Sequence, residues 1–312
     1  MEEKVLYSME SPFQQEINVK GYYFGKNEGK EHSACIVGAL RGNEYQQLYI
    51  CSKLIDVLKK IEKHGDIVGE NGILVIPSVS NMSMDFGKRF WISDDTDLNR
   101  LFPGNPSGES GSRVAYAIME TTKGYRYGIH LPSFYLGGTF MPHIRLLDPE
   151  HGSTSLANLF GLPYVIEAKS RPFDRTTLHN NWQRNGTEAF SLYTGMTGKI
   201  DDELAAQAVS SILRFLTRMG IIRYYSHSGY IASVLKEGDL EPIMTEAAGI
   251  FIKKAECGQE VSRGDVLAQI MKADSGEIIS EVKAPTDGII FYAETRLSLI
   301  HISEPTRLRC IS

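Results

Sequence analysis

Cysteine is scarce in this 312-residue chain: Cys35, Cys51, Cys257 and Cys310 stand far apart and form no C-x-x-C pair. That argues against a disulfide framework and against a thiolate zinc site. A long apolar run is also lacking, since no segment approaches the roughly 18 uninterrupted apolar residues of a membrane span. Neither sign of charge dominates: 33 Lys and Arg face 38 Asp and Glu, a formal net charge of −5, and the two signs are interspersed. Neither a nucleic-acid footprint nor a basic membrane-binding face stands out. The opening stretch MEEKVLYSMESPFQQEINVKG has no basic region followed by an apolar run and a small-residue cleavage site. The expectation is a cytoplasmic protein with no membrane and no nucleic-acid partner.

What is present is an ordinary globular composition, 42% hydrophobic and 23% charged, on a chain long enough for one large domain and a smaller one. From Leu297 the sequence LSLIHISEPTR resembles the conceptual translation of a sequencing adapter, so residues 297–312 are expected to be a non-native tail. His301, Arg307, Arg309 and Cys310 then carry no functional expectation.

Through the first 220 residues, continuous apolar runs alternate with amphipathic helical patterns, which predicts an α/β layer architecture around a mostly buried sheet. Residues 34–40 and 72–77 read as buried strands. Between them Leu48, Cys51, Leu54, Ile55, Leu58 and Ile61 fall at helical spacing, and Gly65 closes that helix. Residues 78–111 form a long irregular segment, polar and aromatic, of the kind that carries function in compact domains. A helix is predicted over 113–122, strands over 125–130, 163–168 and 187–193, and a helix over 201–219, which closes a first domain at about residue 225. From 226 to 296 the texture changes to short strands with turns at Cys257-Gly258, Arg263-Gly264, Ser275-Gly276 and Asp287-Gly288. This segment resembles the all-β barrel-sandwich fold of biotinyl and lipoyl carrier domains. Lys272 falls near the acceptor position of such a domain but reads as an ordinary strand lysine, because Asp274-Ser275-Gly276 makes the turn.

The most specific string is Asp97-Leu98-Asn99-Arg100-Leu101-Phe102-Pro103-Gly104. Together with the strand, the turn Arg41-Gly42-Asn43-Glu44 and the helix after it, this string resembles the succinylglutamate desuccinylase/aspartoacylase family of the zinc carboxypeptidase-like clan, over residues 30 to 296. The resemblance implies a carboxypeptidase-like domain with a mixed central sheet flanked by helices. It also implies one Zn²⁺ ion, and hydrolysis of an amide or ester bond in a small N-acyl amino-acid-like substrate bearing a carboxylate. In such enzymes three protein ligands leave a fourth position for a water whose pKa falls to about 7, and a carboxylate takes that water's proton. Carried over by position, Glu44 and His130 match metal ligands and Glu188 the general base. Arg89 matches the arginine that polarises the scissile carbonyl, and Asn99 and Arg100 the pair that grips the substrate carboxylate. Read without the resemblance, Glu44 is a helix-start acid, His130 a packed or surface histidine and Glu188 a strand carboxylate.

Two departures bear on the metal. Arg41 stands where the family has its first histidine ligand, and a guanidinium has donors but no lone pair. Gly128 stands where an Asp would support the later histidine, a partner worth roughly 10 to 100-fold in metal affinity. His143 is a weak candidate third ligand; His32 and His179 read as ordinary histidines. Alternatively Arg41 and Glu44, three apart at a turn, pair and fill the seat. The sequence therefore leaves open a metal-dependent deacylase, a metal-free non-catalytic descendant that binds a small carboxylate ligand, and a carrier module modified at Lys272. A homo-oligomer is compatible with each.

Overall fold

The computed structural model describes residues 1–10, 16–26, 33–134, 137–148, 154–245, 247–294, 299–300 and 308–311. His32, His301 and Arg307 lie outside them. The chain divides into two compact units, one of Met1–Ser133, Pro142–Tyr193 and Gly198–Val234, the other of Phe134–Met141, Thr194–Thr197 and Leu235–Ser312.

The first unit is a mixed α/β layer structure. Its strands are β1 (Glu2–Glu10), β2 (Glu16–Gly25), β3 (Ala34–Ala39), β4 (Gly72–Ser78), β5 (Tyr127–His130), most of β6 (Gly138–Leu147), β7 (Tyr164–Ala168), most of β8 (Glu188–Met196) and β9 (Ser233–Lys236) in its first residues. Helices are α1 (Tyr45–Lys63), α2 (Asn81–Asp85), α3 (Ser110–Thr122), α4 (Thr154–Asn158), α5 (Leu178–Arg184) and α6 (Asp202–Arg218). The sheet runs β1-β2-β4-β3-β5-β8-β6, with β7 beside β6. β4, β3, β5 and β8 are mutually parallel and β2 is antiparallel to β4.

Alternation along the strands sets the two layers. Ile36, Ile129, Phe190 and Leu192 face one core with α1 and α6, whereas Cys35, Val37 and Ala189 face the other with α3 and α5. Both faces being covered explains why β3 and β4 read as unbroken apolar runs. The sequence places β3, β4, α1 and α6 to within a few residues. The stretch TTLHNNW, residues 176–182, reads as a polar loop, but α5 is helical and buried: Thr177 accepts a hydrogen bond from the Asn180 N–H, and Trp182 is fully enclosed with its Nε1 donating to Thr122 Oγ1 at 2.9 Å.

The second unit, described by itself, contains β10 (Leu240–Ile243), β11 (Gly249–Lys253), β12 (Glu260–Val261), β13 (Val266–Met271), β14 (Ile278–Lys283), β15 (Gly288–Glu294), β16 (Leu299–Ile300) and β17 (Leu308–Ile311). β14, β13, β11 and β16 form one sheet, and Phe251, Leu267, Ile270, Val282 and Ile290 share a core. β17, from the stretch expected to be a foreign tail, pairs with β10 and β15. Lys272 sits just past β13, entering the turn, exposed and 3.5 Å from Asp274.

Candidate functional site

The carboxyl ends of β3 and β5 lie side by side, Val37 level with His130, and the site is built around them. After β3 the chain turns through Arg41 to Glu44 and enters α1. Gly42 allows the 80s loop to close on this turn, because a Cβ there would meet the Lys88 carbonyl oxygen at 2.3 Å, and its N–H donates to the Arg89 carbonyl.

Glu44 is fully buried and saturated. Its Oε2 accepts from the backbone N–H groups of Leu40 and Arg41, at 2.8 and 3.0 Å, and its Oε1 from Arg41 Nη1 and Ser133 Oγ. A carboxylate has about four lone-pair sites, and all are taken. Arg41, 4% exposed, also grips Asp97 with a two-pronged contact, Nε to Oδ1 and Nη2 to Oδ2, both 2.9 Å. The guanidinium thus lies between two carboxylates, in the seat the sequence assigns to a metal. Burial alone would push the Arg41 pKa down; Glu44 and Asp97 outweigh it and hold it raised. Likewise burial would raise Asp97, but the hydrogen bonds and charge of Arg41 hold it below the usual carboxylate range.

Arg89 and Arg100 lie within electrostatic reach of the same centre. Burial, followed by the Arg41 charge, brings Arg89 down to about 10. Arg100 donates from Nη1 to the Asn99 carbonyl and lies over the Phe173 ring, 5.6 Å from its centroid. Three guanidiniums then face two carboxylates, a local excess of positive charge. Asn99 is buried and accepts a hydrogen bond from the Leu178 N–H on Oδ1, so part of its amide is spent on anchoring α5.

His130 ends β5, 1% exposed, with no hydrogen-bond partner on Nε2. Burial first, then the charges of Arg41, His179 and Arg100, hold its pKa well below the ordinary value, so the ring is neutral at pH 7. Ser191, its register partner on β8, meets Nδ1 of buried His179 at 2.8 Å. His143 is buried and stacked on Tyr193, with centroids 5.0 Å apart. Glu188 is not brought here. It opens β8 level with Tyr127, three residues before the position opposite His130, and strand rise puts the two levels about 10 Å apart. The sequence expectation sets Glu188 beside His130; the register instead starts it at the amino end of these parallel strands.

Gly128 is explained by its neighbour. A Cβ at this position would meet the Trp182 ring at 2.5 Å, so the indole occupies the space where a supporting carboxylate would stand.

The donor set does not fit a catalytic zinc. Such an ion needs three protein ligands with free lone pairs. His130 has one, but Glu44 has none left and Arg41 offers only donors. Among the described residues no three His, Cys, Asp or Glu side chains come together as a metal group. Asp97, Ser133, His179 and Ser191 are the members that the sequence did not assign a role. For Asp97 a signal existed, its place in DLNR; for the others none did.

The model of the succinylglutamate desuccinylase/aspartoacylase catalytic domain matches residues 30–219. An N-alpha-acetyl-L-2,4-diaminobutyric acid deacetylase of Halomonas elongata is 23% identical over 291 residues, 84% of this chain and 77% of that one. A succinylglutamate desuccinylase from Silicibacter sp. superimposes with a TM-score of 0.80 at 18% identity, covering 98% of this chain and 92% of that one. The product-bound ectoine utilization protein EutE (DoeB) of Ruegeria pomeroyi does so with 0.79 at 18%, covering 97% and 92%.

Proposed function

The chain belongs to the succinylglutamate desuccinylase/aspartoacylase family, a family of deacylases, and from that premise we propose that it binds a small carboxylate ligand, of N-acyl amino-acid type, at a site where Arg41 has replaced the metal. One observation carries this: the Arg41 guanidinium is locked between Glu44 and Asp97. The pairing uses up both carboxylates, and Arg100 is the charge this reading assigns to an anion, with Arg89 adding to the local positive field. Arginine matches a carboxylate in geometry better than any other side chain. The acylated amino acid named for the Halomonas relative is the ligand class the reading adopts.

Within this site each residue does what its own chemistry allows. Arg100, steadied by the Asn99 carbonyl and by Phe173, presents its remaining N–H groups to the ligand carboxylate. Arg89 supplies a second charge at low solvation cost, since burial has already partly stripped it. Neutral His130 offers Nε2 as a hydrogen-bond partner to the ligand's polar atoms. Asn99 sets the loop geometry by holding α5. The appended β unit plays no part in this reading, and Lys272 has an acidic neighbour at a turn, which gives the carrier option no support.

A second reading keeps the zinc hydrolase, with Glu44 and His130 as ligands, Glu188 as base and Arg89 on the carbonyl. The unpartnered His130 Nε2 favours it; the engaged Glu44 and distant Glu188 weigh against it. Zinc content of protein purified without added metal, combined with calorimetry against N-acetyl amino acids in the presence of chelator, separates the two. The expected result is binding without metal, weakened about 10 to 100-fold by Arg100→Ala, as a lost charge-assisted hydrogen bond implies. Stoichiometric zinc, or binding abolished by the chelator, would sink this reading in favour of the hydrolase.

A further inference from the structure

A cavity of about 710 Å³ in the first unit is lined by Asp148, Ser170, Arg171, Pro172, Arg175, Asn180, Gln183 and Arg184. It shares no residue with the Arg41 centre. Helix α5 divides the two: positions 180, 183 and 184 form one face and line the cavity, whereas Leu178, His179 and Trp182 turn the other way into the core. The volume is that of a small-molecule site, yet the lining is unlike a general apolar pocket. Pro172 supplies its one apolar side chain, and the rest is three guanidiniums, two amides, a hydroxyl and a single carboxylate.

The charges do not cancel. Asp148 is the one acid of the lining, and its Oδ1 is turned to the Ser170 N–H at 2.9 Å. Asp174, next to Arg175 in sequence, turns its Oδ2 to the Arg171 N–H at 2.9 Å. Among the described residues the side chains of Arg175 and Arg184 have neither an ion pair nor a hydrogen bond. Gln183 and Asn180 are fixed instead, by Nε2 to the Leu147 carbonyl at 2.7 Å and Nδ2 to Ser170 Oγ at 3.4 Å. A cavity with fixed amides and two guanidiniums, those of Arg175 and Arg184, unpaired with any carboxylate among the described residues, matches a small dianion, because guanidinium forks pair with phosphate and carboxylate oxygens alike.

We propose that this cavity is a second ligand site, for a small molecule carrying a dianionic oxyanion group, either a phosphate or a pair of carboxylates. Arg175 and Arg184 clamp the anion from opposite ends of the segment 175–184, and Arg171 adds charge at the rim. The site is independent of the carboxylate reading for the Arg41 centre, so either can fail alone.

The test is calorimetry of the full chain with inorganic phosphate and with succinate as probes, at constant ionic strength set with chloride. One phosphate is expected to bind per chain, and succinate, which the carboxylate reading also sends to the Arg41 centre, identifies a pair of carboxylates as the source only where it displaces phosphate. Arg175→Ala and Arg184→Ala should each weaken binding at least tenfold, and Arg184→Glu should abolish it, whereas Arg100→Ala should leave it unchanged. Both arginines are exposed, so the variants fold, and circular dichroism verifies that. Absence of binding by the unaltered protein overturns the proposal. So does binding that survives both alanine variants, or that is lost in Arg100→Ala, which would assign the anion to the other site.

Discussion

Arg41→Ala should lower the unfolding free energy by about 3 to 5 kcal/mol, the usual cost of removing one partner from a buried ion network. Glu44 would keep its contacts from Leu40, the residue-41 N–H and Ser133, and Asp97 would keep the Asn99 N–H. Both carboxylates would nevertheless lose the charge that compensates their burial. Urea unfolding at pH 7 measures the loss, and a change below 1 kcal/mol would show that the network is not formed. Arg41→Lys should recover only part of it, since an ammonium cannot reproduce the two-pronged contact with Asp97.

The pH dependence comes from Asp97, whose pKa is depressed in the folded protein. Its contribution to stability is complete above the unfolded carboxylate value of about 3.9, and it is lost as pH falls through the lower, folded value. In Arg41→Ala the largest causes of the depression are gone, and only the weaker charges of Arg100 and Arg89 still oppose burial. The variant should then lose less stability than the unaltered protein as this carboxyl protonates. Unfolding midpoints of the two proteins measured from pH 7 down to pH 3 should therefore converge.

The second large effect belongs to Gly128→Asp, the change that would supply the carboxylate the family resemblance implies at this position. It should cost about 4 kcal/mol, because it overpacks a filled position and buries a charge against the Trp182 ring. Trp182→Ala alone should cost about 3 to 5 kcal/mol, mainly through the cavity left, since the Thr122 hydroxyl loses the indole but keeps its bond to the Ile118 carbonyl. The informative quantity is the double variant. If indole and carboxylate compete for one space, its cost falls short of the sum by 0.5 to 3 kcal/mol, the range typical of contacting residues. Strict additivity in urea unfolding would show that they do not.

The parts of this architecture legible in the sequence are those where a single local pattern decides the outcome. β3 and β4 are buried on both faces and so are apolar throughout. α6 combines a clean apolar stripe with Asp201 as its N-cap. The family was legible from DLNRLFPG, and the Arg41–Glu44 pair from a spacing of three. What escaped depends on partners distant in the chain. β1 is largely exposed, so its residues carry no core pattern, and β6 contains Pro142. α5 has two apolar residues among seven and is held by side-chain hydrogen bonds and by Trp182. Glu188 was matched by its order along the chain, but the register of β8 against β5 decides which end of the sheet a residue reaches, and order does not report that. The Arg41–Asp97 contact joins residues 56 positions apart.

A metal ion is borrowed from solution, and a protein that depends on one is subject to supply, to chelators and to competing ions. The guanidinium held by Glu44 and Asp97 is made with the chain. It cannot be lost, exchanged or loaded with the wrong element, and it keeps its charge throughout the physiological pH range. On the metal-free reading proposed above, the electrostatic character of the site is fixed at translation and does not vary with the metal economy of the cell.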